Sequence, residues 1–359
     1  MARRATLKDV AAEAGVSVTT VSLVLNNRPA RISTERREAI AAAVKKLNYV
    51  PNQNARSLVT KQSKLVALIV PDIENLFFAA LAKCMEDECA AQGYSLIIAN
   101  SDDSRMAEHN LLQRLTSRGV DGVMLIPARE SCADGVGAQL QADVQAITCP
   151  VVLIDRLTQC GWCDAVGFNN YLGGRLAAQY LLEHGCERVG LVTGDVAESS
   201  AAERRNGFVD ALEQAGVPFD PALCVEGDYR FEGGYNAADR IIDGGATAVF
   251  CCNDVMALGF CQRLAERGLT ATDDMRVIGY DNILKRFGLG WRMTTVEQNV
   301  ADLAGVCWRM LSERIEDSLH KGSNGVGRGA EKSATSGRPW LANPRAEVLT
   351  PKLVQSSAL

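Results

Sequence analysis

Thr6-Leu-Lys-Asp-Val-Ala-Ala-Glu-Ala-Gly-Val-Ser-Val-Thr-Thr-Val-Ser22 contains two helix starts separated by one break. Thr6 can cap a helix from 7 to about 14, Gly15-Val16-Ser17 interrupts it, and Ser17 can cap a second helix from 18 to 26. Two short helices joined by a glycine-containing turn of this length form a helix-turn-helix unit, whose second helix enters a DNA major groove. On a helical wheel Val21, Val24 and Leu25 share one face and should pack on Val10 and Ala11. The opposite face carries Thr19, Leu23 and Asn26, with Val18 near the N-terminal tip. An ordinary helical hairpin would bury Leu23 elsewhere, but a three-helix head has little else to bury it. A third helix, 34 to about 48 with Ser33 as cap, closes the bundle through Ile40, Val44 and Leu47.

The charge around this unit is uneven. Residues 1–64 carry a balance of +8 and the rest −13, within a chain of 359 residues and net charge −5. A basic head on an acidic body suits phosphate contact, although a solvated basic face would look the same. After Pro51 the run Asn52-Gln-Asn-Ala-Arg-Ser-Leu-Val59 favours helix but is too short to be stable alone in water, so it reads as a hinge ordered by a partner. The expected organisation is 1–50 head, 51–63 hinge and linker, 64–359 body.

The run 6–22, together with Tyr49-Val-Pro-Asn52 and Ala55-Arg-Ser-Leu58, resembles the head and hinge of the lac repressor/galactose repressor (LacI/GalR) family, and the similarity continues through the body apart from a tail insertion. The resemblance implies DNA contacts from Thr6, Ser17, Val18, Thr19, Thr20, Ser22, Leu23 and Asn26, and from Asn52, Ala55 and Leu58 in the hinge. Leu58 matches a leucine that wedges between base pairs in the minor groove; apolar wedges unstack a step and kink the duplex. The bland alternative is a linker residue resting on the body. Family members often carry arginine where this chain has Leu23. Leucine offers only apolar contact, for example to a thymine methyl, so the half-site should differ from arginine-type sites.

From Lys64 onward, short β-branched runs at 65–70, 95–99, 122–126, 151–154, 189–192, 248–251 and 277–279 alternate with helical patterns. This is βαβ alternation: an α/β body with doubly wound parallel sheets, with strands enough for two. Ligands on such sheets bind beyond the carboxyl ends of the strands. Asp155-Arg156, Asn253-Asp254 and Asp281 each follow an apolar run. Singly each reads as a cap or loop residue, and Asp254 as a helix cap; together they read as a polar-lined cleft. Phe77-Phe78 opens the first body helix, where one ring can face the core and the other the cleft. Aromatic slabs rimmed by carboxylates, amides and guanidinium groups suit a sugar.

The resemblance extends to this cleft. It implies two lobes like those of ribose-type periplasmic sugar-binding proteins, with Phe77, Phe78, Asp155, Arg156, Arg204, Asn253, Asp281 and Gln298 at ligand-contacting positions. Tyr229 stands where that group has phenylalanine, and Ile126 where it has a ligand-binding asparagine. Ribose itself is thereby placed in doubt, while a pentose or similar polyol remains.

The leading expectation is a ligand-controlled transcription regulator, a repressor, reading a palindromic double-stranded operator as a homodimer because one short head reads too few base pairs. Within that class the runner-up effector is a purine or nucleoside. A sugar-transport component is disfavoured by the basic head and the lack of an apolar signal region, and an enzyme by the lack of a phosphate loop or a defensible nucleophile–base pair. No apolar run reaches membrane-span length, so a cytoplasmic protein without membrane contact is expected. No cofactor or metal site is expected. Twelve scattered cysteines read as reduced, buried hydrophobes, and Cys160-Gly-Trp-Cys163 lacks the helix start that a redox motif needs. The stretch 322–337 reads as an unstructured insertion and 346–354 as a closing strand and tail.

Overall fold

The computed structural model describes residues 5–26, 29–50, 62–132, 137–156, 160–196, 199–271, 273–289, 293–323 and 339–356. The chain divides into two compact units, Met1–Ser63 and Lys64–Leu359.

The first unit is a three-helix head: α1 (Leu7–Glu13), α2 (Val18–Leu25) and α3 (Thr34–Lys46). Thr6 and Asp9 form a reciprocal capping box on α1, and Ser17 caps α2 by accepting the Thr20 N–H at 3.1 Å. Each cap satisfies amides that a helix start leaves without intrahelical partners. Val10, Ala11, Val21, Ile40, Ala43 and Tyr49 form the core, with Val24, Leu25, Val44 and Leu47 packed against it. α2 ends at Leu25, one residue earlier than expected, because the Asn26 amide folds back to donate to the Ser22 carbonyl at 2.8 Å. α3 ends at Lys46, where Asn48 adopts a left-handed φ of 44°.

The body's strands are β1 (Leu65–Val70), β2 (Ser95–Asn100), β3 (Gly122–Leu125), β4 (Val151–Ile154), β5 (Asp164–Phe168), β6 (Val189–Thr193), β7 (Cys224–Glu226), β8 (Ala248–Cys251), β9 (Arg276–Asp281), β10 (Thr294–Glu297), β11 (Ala346–Leu349) and β12 (Lys352–Val354). They form two six-stranded sheets, ordered β11-β5-β4-β3-β1-β2 and β12-β10-β9-β8-β6-β7. Among the described residues the strands pair in parallel, except β12 with β10. The central strands are apolar throughout and wholly buried, as sheets covered on both faces require. Each sheet with its helices is one lobe.

The chain passes between lobes three times. It leaves β5 for the helix Asn170–Glu183, whose Ala177, Ala178 and Leu181 lie in the second lobe's core. It leaves β10 for the helix Val300–Ser323, whose Leu303, Cys307, Trp308 and Leu311 return to the first lobe's core. It crosses last between β11 and β12. The stretch 346–354 is therefore two short strands in different sheets, not one closing strand: buried Pro351, which has no N–H for a ladder, sits at the break. The C-terminal segment is anchored by Asp164, buried at the start of β5. Its carboxylate takes two bonds from Arg314 (2.9 and 2.8 Å) and also bonds the Arg345 backbone and guanidinium. Burial works against its charge, but the two guanidinium groups prevail and hold the carboxyl below its ordinary value.

The expected strand positions fall on β1–β4, β6, β8 and β9. β7 and β10 escape the reading, one for having three residues and the other for its polar sequence Thr-Thr-Val-Glu. The last long helix runs to Ser323, so Gly322 and Ser323 belong to it and not to an insertion; residues 324–337 lie outside the described residues. All twelve cysteines are free. Burial above all raises the Cys163 thiol well above its usual range, keeping it protonated and unlike a redox nucleophile. No described helix is long and apolar enough to cross a membrane.

Candidate functional site

In the head, the residues expected at DNA group on and around α2. Val18 is 41% exposed at its tip. Ser17 and Thr19 are exposed, and Thr20, Ser22, Leu23 and Asn26 are half-buried. Leu23 stands apart from the head's core cluster. The Ser17 and Thr20 hydroxyls bond each other at 2.8 Å, and Asn26 bonds Ser22, so these polar side chains are held in fixed positions on the helix. Thr6 is spent on capping α1. Asn52, Ala55 and Leu58 lie outside the described residues.

In the body, a cleft is lined by Asn75, Phe77, Phe78, Asp155, Arg156, Ser200, Arg204, Tyr229 and Asp281. It draws on both lobes at the carboxyl ends of β4 and β9, where open α/β sheets bind ligands. Three of its lining residues, Asp155 (φ 65°), Tyr229 (φ 61°) and Asp281 (φ 95°), adopt left-handed backbone that non-glycine residues avoid. Such strain costs roughly 1–3 kcal/mol per residue and persists where surrounding packing enforces it, commonly at ligand sites. The packing around Tyr229 is visible: its ring lies against Gly194, where a Cβ would come within 2.2 Å, and its carbonyl accepts from Asn253 Nδ2 at 2.9 Å.

Phe77 and Phe78 meet edge to face, with centroids 5.6 Å apart and planes at 72°. Opposite the aromatic pair, the buried Arg204 is fixed by three donations: Nε to Asn170 Oδ1 (2.8 Å), Nη1 to the Cys252 carbonyl (2.7 Å) and Nη2 to Gln298 Oε1 (3.3 Å). Its guanidinium also lies over the Tyr280 ring at 4.0 Å. Burial opposes its charge, but Tyr280, Asp281, Tyr229 and Asp155 outweigh burial and raise its pKa further. Arg156 Nη1 is held by Asp103 (2.7 Å) and the Pro127 carbonyl (2.8 Å). Burial pushes Asp281 up to about 7, against the pull of Arg204 and with help from Asp254 and Asp155.

Seven of the nine residues expected at the effector therefore line one cavity: Phe77, Phe78, Asp155, Arg156, Arg204, Tyr229 and Asp281. Asn253 and Gln298 stand behind it. Asn253 caps the helix Asp254–Glu266 through the Met256 N–H (2.8 Å) and holds the Tyr229 backbone. Gln298 bridges Arg204 and Asn170. The cap is thus Asn253 and not Asp254, whose buried carboxylate instead accepts from Ile283 N–H (2.7 Å) and Thr295 Oγ1 (2.6 Å). Three residues escaped sequence reading. Asn75 looks like a simple cap, which it also is, accepting the Phe77 N–H. Ser200 follows no apolar run. Asn170, at the first crossover, receives bonds from Arg204, Tyr280 and Gln298, and only the tertiary fold brings these together.

Residues 6–52 match the family described as bacterial regulatory proteins, lacI family, and residues 63–325 match that of periplasmic binding proteins and the sugar-binding domain of the LacI family. The chain is 35% identical over 315 residues to the HTH-type transcriptional repressor PurR of Pasteurella multocida (strain Pm70), covering 87% of this chain and 92% of that protein. Among solved structures, a lac repressor dimer bound to operator and the anti-inducer ONPF superposes with TM-score 0.80 at 24% identity, covering 98% of each chain. A LacI family regulator from Enterococcus faecium with bound ribose superposes with TM-score 0.65 at 26% identity, covering 82% of this chain and 98% of that one. The chain belongs to the LacI family: it is a ligand-responsive transcriptional regulator, with a DNA-binding head and a periplasmic-binding-protein-like body, and not an enzyme.

Proposed function

We propose that the protein is a cytoplasmic repressor that binds a palindromic operator as a homodimer and is controlled by a pentose or closely related neutral polyol. The observation that carries the effector reading is the cavity's composition: two carboxyl groups, Asp155 and Asp281, and two guanidinium groups, Arg156 and Arg204, beside an edge-to-face phenylalanine pair. Alternating acceptors and donors match vicinal hydroxyls, each of which both gives and takes a hydrogen bond. The two carboxylates disfavour a phosphorylated sugar by like-charge repulsion.

A purine is the second reading, favoured by the relatives named PurR, whose effector is a purine. A purine needs a flat aromatic face to stack on and partners for the donors and acceptors of its ring edge. Phe77 and Phe78 stand edge to face at 72°, and the charged set Asp155, Arg156, Arg204 and Asp281 around them suits hydroxyls better than a ring edge.

The same residues offer a route from cavity to head. Arg204 holds Asn170 and Gln298, which stand at two of the three crossovers between lobes. A ligand bonded to Arg204 acts on the angle between lobes and so on the spacing of the paired heads, a coupling reciprocal by linkage. In the head, Val18, Thr19 and Leu23 face bases and Leu58 of the hinge is the minor-groove wedge.

A thermal-shift panel of pentoses, hexoses, polyols, nucleosides and purines tests the effector. A shift with a pentose that is abolished by Arg204→Ala, with operator binding by the head intact, is expected. A shift with a purine and with no pentose would sink the sugar reading.

A further inference from the structure

Two ion-pair clusters tie the lobes together beside the cavity. Arg230 of the second lobe donates to Asp72 (2.6 Å) and Glu74 (2.9 Å) of the first. Arg129 of the first lobe donates to Asp195 of the second (3.1 Å). Both clusters adjoin cavity residues. Arg230 follows Tyr229, and Glu74 precedes Asn75. Arg129 connects inward through Asp103, which accepts both its backbone N–H (2.8 Å) and Arg156 Nη1.

The loop that presents Arg230 is built. Asp228 Oδ1 accepts the Arg230 N–H at 2.8 Å, and Gly233 leaves room for that carboxylate, since a Cβ there would stand 2.1 Å from it. Asn253 holds the Tyr229 carbonyl, and Tyr229 keeps its strained φ. Consecutive residues therefore serve opposite sides, Tyr229 lining the cavity and Arg230 spanning its edge. The receiving turn is equally fixed: the Glu74 N–H bonds Asp72 Oδ1 (3.0 Å) and the Ile73 N–H bonds Asn100 Oδ1 (2.9 Å).

We propose that Arg230 is the gating residue of the cavity. Ligand enters and leaves when its pairs with Asp72 and Glu74 break, so that access depends on ionic strength. The proposal rests on the cavity being the effector site, but not on which ligand fills it. The Arg230 side chain is 41% exposed, so the pairs are weak and screened by salt. That makes them suited to a gate that opens at thermal cost.

Hydroxyl-radical footprinting of the full-length protein without ligand tests this. It reads oxidation of Phe77 and Phe78, now 4% and 6% exposed, with the core residue Phe208 as internal reference. In Arg230→Ala their oxidation should rise about two- to tenfold, the range set by exposed ion pairs. Raising NaCl from about 50 to about 500 mM should raise it more in the wild type than in the variant, which keeps only the Arg129–Asp195 pair between the lobes. Arg188→Ala, which breaks the Arg188–Asp220 pair within one lobe, should have no effect. Arg230→Glu combined with Glu74→Arg, which leaves Asp72 to hold its turn, should restore protection in part. Unchanged oxidation of both phenylalanines in Arg230→Ala at either salt overturns the gate. A wild-type protein that gives no thermal shift with D-ribose, D-xylose or L-arabinose counts against the sugar reading alone, because the footprint still decides the gate.

Discussion

Val18 at the tip of the head's second helix is 41% exposed, whereas Phe77, Asp155, Arg204 and Asp281 in the body are each about 95% buried. The head presents its functional side chains on one helix, over a core made by neighbours in sequence. The cavity gathers its residues from strand ends and helix starts spread from Asn75 to Asp281 and holds three of them in strained backbone. A surface that meets DNA can stay wet until binding, since phosphates and base edges supply the missing partners. A cavity enclosing a polar ligand must instead keep charges buried, and buried charges need a scaffold that pairs them.

The comparison breaks most forcefully at Asp164. Asp164→Asn leaves Arg314 and Arg345 without their shared carboxylate and should cost the body about 3–5 kcal/mol, as loss of one partner of a buried pair does. Denaturation followed separately in body and head should show the body's transition moving and the head's unchanged. A common shift in both would mean that the two units do not unfold independently.

A smaller effect, dependent on pH, is expected at Asp281. Its pKa in the folded protein is raised to about 7 by burial, above the unfolded value of about 3.9. The folded state therefore binds the proton more tightly, so this group's penalty appears as pH rises from about 4 and is complete above about 7. Urea titrations should show wild-type stability falling relative to Asp281→Asn across that window. Parallel curves for the two proteins would show that burial does not govern this carboxyl.

The smallest effect on stability, and the largest on specificity, is expected from Leu23→Arg. The side chain is half-buried but stands apart from the core cluster, so unfolding should shift within about 0.5 kcal/mol, as surface changes do. Binding selections should show new preference for guanine at one half-site position, since arginine bonds guanine bidentately. Unchanged base preference would remove Leu23 from the recognition surface.

Much of the head was legible because its information is local. Thr6, Ser17 and Ser33 announce the three helix starts, and the apolar period assigns the faces. In the body, polar residues after apolar runs marked Asp155, Arg156 and Asp281, because parallel strands deliver their carboxyl ends to one rim. Phe77 and Phe78 are placed by their position at the start of the first body helix, whereas Tyr229 and Arg204 follow from resemblance and not from pattern. Asn253 and Gln298 were drawn to the right neighbourhood, but one step behind the cavity. Nothing local distinguishes a polar side chain that faces a ligand from one that holds its neighbour.

By itself the sequence determined the three-helix head, the βαβ alternation, the basic–acidic division and most of the cavity's residue types, all of which depend on periodicity, capping and charge over a few residues. Tertiary structure alone decided that 346–354 serves two sheets, that Asn170 joins Arg204 to Gln298, and that Arg230 reaches Asp72 and Glu74 across the lobes. Those contacts join residues far apart in the chain, and their partners are set by how two separately folded sheets meet, which no local pattern encodes.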